Sequence, residues 1–121
     1  MADILIVDDS PSIRQTIMIS LGDAGHTITE AVNGADGLAK AKAHNFELVI
    51  TDLNMPEMDG LTMIKALRQE AAYAGIPILF LSTESDAGIK QQARTAGATG
   101  WLTKPFVADQ LIQVIAKVLA R

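Results

Sequence analysis

Cysteine is absent from the sequence, which excludes a disulfide framework and a thiol nucleophile and agrees with a reducing compartment. Apolar runs long enough to cross a membrane are also missing, and the N-terminus lacks a signal-peptide pattern, so we expect a cytoplasmic chain without membrane attachment. No basic cluster accompanies the net charge of −4, which argues against nucleic acid as a direct partner. No low-complexity linker or internal repeat divides the 121 residues, so we expect a single domain over 1–121.

What the sequence does contain is a regular alternation of two hydrophobic patterns. Hydrophobic residues make up 49% of the chain, enough to bury about two-thirds of its unfolded surface without a metal or a disulfide. Short apolar runs, typical of buried parallel strands, alternate with segments whose apolar residues recur at helical spacing. The predicted strands cover residues 3–7, 27–31, 48–52, 77–82 and 100–103, and a predicted helix follows each of them. Five such units indicate an α/β fold, a doubly wound five-stranded parallel sheet with helices on both faces.

Local signals refine several of these elements. Ser10 and Pro11 predict an N-cap and a first-turn proline for the first helix, and glycines within 22–25 predict its end. The strand at 27–31 is β-branched and alternates, so we expect it at the sheet edge. The fourth helix, 86–96, has only a weak apolar face, which permits movement.

Carboxylates follow two of the predicted strands at the point where each strand ends. Asp8 and Asp9 come directly after the first strand, and Asp52 ends the third. Ligands of open α/β sheets bind in the crevice at the carboxyl ends of the strands. If the first and third strands are neighbours, these three carboxylates point into one crevice.

Features distributed along the whole chain resemble the receiver domain of two-component response regulators, the CheY-type fold. The matching residues are the acidic pair Asp8-Asp9, the phospho-acceptor Asp52, the switch hydroxyl Ser82, the switch aromatic Trp101, and Lys104-Pro105, a lysine followed by its cis-proline peptide. Five separated features in the right order make the match specific. The resemblance implies the strand order 2-1-3-4-5, which the alternation alone leaves open.

Three ionised carboxylates in one crevice call for a cation. They repel one another by several kcal/mol even at an effective dielectric near 20. A divalent ion together with the Lys104 ammonium would restore neutrality, and an all-oxygen ligand set selects Mg²⁺, or Mn²⁺, over zinc. We expect Asp9 and Asp52 as direct ligands and Asp8 as a direct or water-mediated one. The resemblance adds the backbone carbonyl of Asn54.

Phosphoryl transfer requires an oxygen nucleophile and charge stabilisation on the transferring oxygens. Asp52 is the expected nucleophile, since carboxylates form aspartyl-phosphates. The metal, Lys104 and the Ser82 hydroxyl would then hold the three phosphoryl oxygens. The resemblance implies that a phosphohistidine on a histidine kinase or a phosphotransfer domain is the donor. It also implies that water later hydrolyses the acyl phosphate in the same pocket, at a rate that Asn54 influences.

The resemblance further implies that the output is a change of surface. If Ser82 moves to bond a phosphoryl oxygen, it vacates space into which Trp101 can turn from an outward position, and the face of helix 4, strand 5 and helix 5 changes shape. Because no output domain is expected after residue 121, the product should be a protein–protein contact. A stand-alone, monomeric regulator of the chemotaxis type, which binds a flagellar-motor switch protein when phosphorylated, is the nearest resemblance.

The chain departs from the commoner family pattern at three positions. Ser82 replaces the more usual threonine and loses a methyl group that restricts its rotamer, so coupling to the output could be looser. Trp101 replaces tyrosine or phenylalanine, and because its ring is larger we expect incomplete burial and a rotamer switch that is less than all-or-none. Val107 stands where a capping hydroxyl often opens the last helix, and Asp109 in the first turn partly compensates through the helix dipole.

Several other interpretations use the same residues. Taken singly, Asp52 could cap the following turn, Ser82 could bond local backbone, and Trp101 could simply pack at the sheet edge. An EF-hand-like loop fails because Pro56 and Glu57 occupy positions that need an oxygen ligand and a glycine.

Three other functions compete with that of a receiver domain. A flavodoxin-like electron carrier would bind an FMN phosphate, which Asp8-Asp9 would repel. GxGxxG and P-loop patterns are absent, so a nucleotide enzyme is not expected. A receiver-like docking module that has lost phosphorylation stays open as the alternative, although every acid of the pocket is present.

Overall fold

Strands and helices alternate along the chain in the computed structural model, which describes residues 2–52, 58–82, 87–104 and 107–120, without the side chains at 82, 87 and 89. The strands are β1 Asp3–Val7, β2 Thr27–Ala31, β3 Leu48–Asp52, β4 Ile78–Ser82 and β5 Gly100–Thr103. The helices are α1 Pro11–Asp23, α2 Gly34–Ala43, α3 Gly60–Arg68, α4 Ala87–Ala96 and α5 Ala108–Leu119. A short 3-10 helix at Ala71–Tyr73, between α3 and β4, is an element that the sequence analysis did not predict.

The five strands form one parallel sheet in the order β2-β1-β3-β4-β5. This order confirms the 2-1-3-4-5 prediction and the edge position of β2. Because β1 and β3 are neighbours, with Val7 opposite Thr51, their carboxyl ends lie side by side. The sheet therefore brings together the two strand ends that carry acidic residues.

Apolar side chains divide between two cores, since successive residues of a strand face opposite sides of the sheet. Ile6, Ile50 and Leu102 belong to the core that α1 and α5 cover. Val7 and Val49 belong to the core on the opposite face, under α2 and α3. Helices thus cover both faces, as the doubly wound prediction requires.

The helix starts follow the local sequence signals. The Ser10 hydroxyl caps α1 by accepting from the backbone N–H of Ile13, and Pro11 is the first helical residue. Asn33 caps α2 in the same way. Val107 precedes α5, as predicted, and its side chain has no oxygen with which to cap the first turn. Among the described residues, no helix combines the length and the apolar character that a membrane crossing would need.

Helix α2 approaches the sheet closely at Gly37. A Cβ at this position would lie 2.7 Å from Cγ2 of Val7 and 2.9 Å from Sδ of Met63, closer than carbon atoms normally approach. Glycine therefore allows α2 to pack directly against β1 and α3.

The C-terminal end of α2 is held by a buried tyrosine from the unpredicted 3-10 helix. The Tyr73 hydroxyl lies 2.6 Å from the carbonyl oxygens of both Ala41 and His44. It also accepts from the backbone N–H of Phe46 at 3.3 Å. The single hydroxyl proton serves one of these two carbonyls at a time, and both are oxygens that the helix end leaves without helical partners.

Candidate functional site

Strand alternation directs the acidic residues to one face of the sheet. Asp8 follows β1 by one residue and Asp52 is the last residue of β3, and each comes two residues after a member of the α1–α5 core, Ile6 and Ile50. Side chains two residues apart in a strand share a face. Both carboxylates therefore lie at the carboxyl rim of the sheet on the α1–α5 side.

Lys104 reaches the same rim from the end of β5. Its ammonium nitrogen lies 3.0 Å from Oδ2 of Asp8 and 3.3 Å from Oδ2 of Asp52. The Asp8 side chain is fully buried, and those of Lys104 and Asp52 are 14% and 12% exposed. Two carboxylates from neighbouring strands thus share one ammonium group, largely out of water, where charges interact more strongly than at the surface.

The two carboxylates keep Lys104 protonated. Burial on its own would lower the pKa of Lys104, but the hydrogen bond to Asp8 and the negative charges of Asp52 and Asp8 outweigh it and raise the pKa above its ordinary value. Lys104 is therefore a fixed positive charge at neutral pH.

Hydrogen bonds fix both the carboxylate and the backbone of Asp8. Its Oδ1 accepts from the backbone N–H of Ser10 at 2.8 Å, while its Oδ2 accepts from Lys104. Its backbone carbonyl accepts from Nη1 of Arg14 at 2.5 Å, and its N–H donates to the Ala31 carbonyl at 3.1 Å. Both carboxylate oxygens of Asp8 thus have protein donors.

Arg14 is a site residue that the sequence analysis missed. It lies one helical turn after the N-cap Ser10, and helical side chains point back toward the N-terminus of their helix. An arginine at this spacing, on a helix that begins at the acidic pair, is the signal that could have revealed the contact.

Asp9 completes an acidic cluster. One carboxylate oxygen from each of Asp8, Asp9 and Asp52 lies within 4.8 Å of the others, and Asp9 is exposed to solvent. At that separation each pair of charges repels by about 3 kcal/mol at an effective dielectric of about 20. Lys104 offsets one of the three charges, so a divalent cation would balance the remainder. The donor set, made only of carboxylate oxygens, fits Mg²⁺.

Three predicted site features fall outside the described residues. They are the Ser82 side chain, Asn54, and Pro105 with its peptide bond to Lys104. The backbone of Ser82 is described, and it pairs with Thr103 at the ends of β4 and β5, on the rim that carries Asp52.

Trp101 lies on β5, the strand at the other edge of the sheet. Its side chain faces outward, with the residue 37% exposed. The ring stacks on Phe80 with centroids 6.2 Å apart. The Lys90 ammonium, from α4, lies 4.4 Å from the centre of the Trp101 ring, a cation–π distance.

Comparison with known proteins agrees with this site. A family model described as the response regulator receiver domain matches residues 4–116. The structure of the chemotaxis response regulator CheY4 of Vibrio cholerae superposes with a TM-score of 0.94, at 44% identity over 98% of both chains. Protein PilH of Pseudomonas aeruginosa is 35% identical over 99% of both chains.

The match to the transcriptional regulator RpaA of Synechocystis covers all of this chain at 36% identity but only 50% of RpaA, so the chain spans about half the length of that relative.

Receiver domains are signalling phospho-acceptors rather than ordinary enzymes, act in phosphorelays with histidine kinases or phosphotransfer proteins, and bind Mg²⁺ in an acidic pocket. The matched residues 4–116 span nearly the whole sequence. This chain belongs to the receiver-domain family of two-component response regulators.

Proposed function

We propose that this chain accepts a phosphoryl group on Asp52 from a phosphohistidine of a sensor or chemotaxis histidine kinase, or of a phosphotransfer domain. The observation that supports this most directly is the Lys104 ammonium shared between Asp8 and Asp52, beside Asp9. Lys104 neutralises only part of the negative charge around Asp52, so a cation bound there would favour transfer of the negatively charged phosphoryl group.

In the transfer step, an oxygen of the Asp52 carboxylate attacks phosphorus. The P–N bond to the donor imidazole breaks, and the imidazole leaves with the electron pair and takes up a proton. Lys104, already within 3.3 Å of Asp52, then donates to a phosphoryl oxygen. Burial of Asp52 and Lys104 limits the access of competing water.

The acidic cluster would hold the metal. Asp9 and Asp52 are the proposed direct ligands, together with the backbone carbonyl of Asn54. Asp8 is the proposed water-mediated ligand, because Ser10 and Lys104 already donate to its two oxygens. A bound Mg²⁺, or Mn²⁺, would supply positive charge to the transferring oxygens.

The Ser82 hydroxyl is proposed to donate to another phosphoryl oxygen. The register that brings the Ser82 backbone to the rim beside Asp52 supports this assignment. Water then attacks phosphorus in the same pocket, which releases inorganic phosphate and regenerates the Asp52 carboxylate. Asn54 is proposed to influence the rate of this step.

The output is proposed to be a changed protein-binding face formed by α4, β5 and α5. Ser82 moves toward the phosphoryl group, and Trp101 turns inward from its exposed orientation. The likeness to CheY4, described as a chemotaxis response regulator, supports a flagellar-motor switch protein as one such target. We propose that the chain works in the cytoplasm as a monomeric receiver domain, without binding nucleic acid or membrane.

Mass spectrometry after incubation with acetyl phosphate and Mg²⁺ tests the proposal. The wild-type chain should gain one phosphoryl mass, Asp52→Asn should gain none, and the matched control Asp23→Asn, at the exposed end of α1, should gain one. Chelating the metal should suppress the gain. An unchanged wild-type mass would favour the alternative, a receiver-like docking module that is not phosphorylated.

A further inference from the structure

Arg14 connects the acidic cluster to the edge of the sheet. Its side chain is only 12% exposed, although its guanidinium carries a permanent charge. Nη1 donates to the Asp8 carbonyl at 2.5 Å, and Nε donates to Oε1 of Glu30, on β2, at 3.0 Å. A largely buried arginine that bonds a backbone carbonyl inside the acidic pair has no part in the phosphoryl-transfer chemistry described above.

The carbonyl that Arg14 holds belongs to the peptide joining Asp8 to Asp9. Fixing that oxygen fixes the plane of the peptide, which is rigid, and therefore the direction in which the chain enters Asp9. The N–H and the carboxylate of Asp8 are held as well, by Ala31, Ser10 and Lys104. Asp9 is exposed, so its carboxylate depends on this backbone for its position in the cluster.

The charge of Arg14 would by itself oppose a cation at the cluster. Glu30 lies at ion-pair distance and offsets that charge, so the pair offers a hydrogen-bond donor with little net charge. Glu30 is held in turn, because the Lys40 ammonium donates to its backbone carbonyl at 2.5 Å and pairs with Asp36 at 3.2 Å. The arrangement positions the Asp8-Asp9 peptide without adding a repulsive charge.

We propose that Arg14 is a positioning residue for the divalent cation, with Glu30 as the group that offsets its charge. Arg14 sets the Asp9 carboxylate in place by holding the Asp8-Asp9 peptide. This inference rests on the proposed metal-binding role of the acidic cluster. It adds two residues, outside the carboxylate cluster, on which metal affinity depends.

Mg²⁺ titration of the full chain, followed by calorimetry and by Trp101 fluorescence, tests the inference. Arg14→Gln should weaken Mg²⁺ binding roughly tenfold, as removal of outer-sphere partners commonly does. Glu30→Gln should weaken it by a smaller factor, about two- to threefold, since the partly exposed pair leaves Arg14 with a screened charge. The double variant should bind Mg²⁺ only slightly more weakly than Arg14→Gln alone, because the two residues act as one unit.

Two further variants separate positioning from general destabilisation. Tyr73→Phe, in the 3-10 helix before β4, should lower the melting temperature and leave Mg²⁺ affinity unchanged. Arg14→Lys keeps a donor and a charge and should recover part of the affinity lost in Arg14→Gln. If Arg14→Gln fails to fold, the Mg²⁺ affinities of Arg14→Lys and Glu30→Gln are compared with that of the wild-type chain instead.

The direction in which Mg²⁺ affinity changes in Arg14→Gln decides whether Arg14 has a positioning role. Unchanged or tighter Mg²⁺ binding by Arg14→Gln would show that Arg14 is only a neighbouring charge, and the positioning role would be wrong. A wild-type chain that fails to bind Mg²⁺ would instead overturn the proposed function, and this inference with it. Loss of affinity in Tyr73→Phe equal to that in Arg14→Gln would also overturn the positioning role.

Discussion

The ammonium nitrogen of Lys104 lies 3.3 Å from Oδ2 of Asp52, so the proposed phospho-acceptor has a cationic partner within the chain itself. The same nitrogen is 3.0 Å from the fully buried Asp8. Lys104 thus has a structural role, offsetting buried negative charge, in addition to its proposed role in transfer.

Replacing Lys104 with methionine should show how much Lys104 contributes to the stability of the fold. Without the ammonium, the buried Asp8 carboxylate is left without its charged partner, and the unfolding free energy should fall by about 3 kcal/mol. Added Mg²⁺ should recover more stability in Lys104→Met than in wild type, because the ion then meets an uncompensated cluster. Urea unfolding with and without Mg²⁺ measures both effects, with the exposed Lys65→Met as a control. Equal Mg²⁺ stabilisation of the two proteins would contradict the charge balance.

The raised pKa of Lys104 predicts a loss of stability in alkali. Its pKa in the folded chain lies above the ordinary value of 10.5, through the balance of burial against the Asp8 and Asp52 charges. Its contribution is therefore fully present below pH 10.5 and is lost as the pH rises through the folded pKa. The stability difference between wild type and Lys104→Met should shrink above that pH in denaturant titrations. A difference that stayed constant through this range would argue against the assignment.

Lys90 should hold Trp101 in its outward orientation. The cation–π contact at 4.4 Å, at a partly exposed ring, is expected to contribute about 0.5–1 kcal/mol. Lys90→Gln should therefore raise the inward population of Trp101 roughly two- to fivefold without phosphorylation. Acrylamide quenching of Trp101 fluorescence should fall in Lys90→Gln and stay unchanged in Lys65→Gln. Equal quenching in all three proteins would exclude a role for Lys90 in the Trp101 orientation.

Two glycine replacements should have opposite effects on stability. Gly37→Ala places a Cβ against Val7 and Met63 and should destabilise the chain by about 1–2 kcal/mol, even after the gain in helix propensity. Gly22→Ala, also in a helix, meets no atom within 4 Å and should stabilise it by up to about 1 kcal/mol. Thermal unfolding of both variants checks the signs. Similar effects at the two positions would mean that the close packing of α2 is not what requires Gly37.

The sequence predicted the part of the architecture that periodicity encodes. Apolar runs and helical spacing identified five strands and five helices, and alternation alone would put Asp8 and Asp52 on one face, two residues after Ile6 and Ile50. The strand order came from the family resemblance, because parallel strands separated by helices can be ordered in several ways with the same hydrophobic pattern.

Contacts between distant side chains could not be predicted in this way. The Arg14–Glu30 pair joins residues from α1 and β2, and the Lys90–Trp101 contact joins α4 to β5. Each depends on rotamers and on how a helix packs over the sheet, and neither has a spacing signature in the sequence. The Tyr73 hydroxyl contacts likewise require the short 3-10 helix, which is too brief to show periodicity.

The Lys40 ammonium bonds a backbone carbonyl of β2, the strand at one end of the sheet. Edge strands offer backbone groups on which a strand from another molecule can add, the first event in aggregation into fibres. By occupying the Glu30 carbonyl and placing a charge there, Lys40 makes such addition unfavourable. Lys40, which holds Glu30 in place, is therefore also expected to protect the chain from self-association.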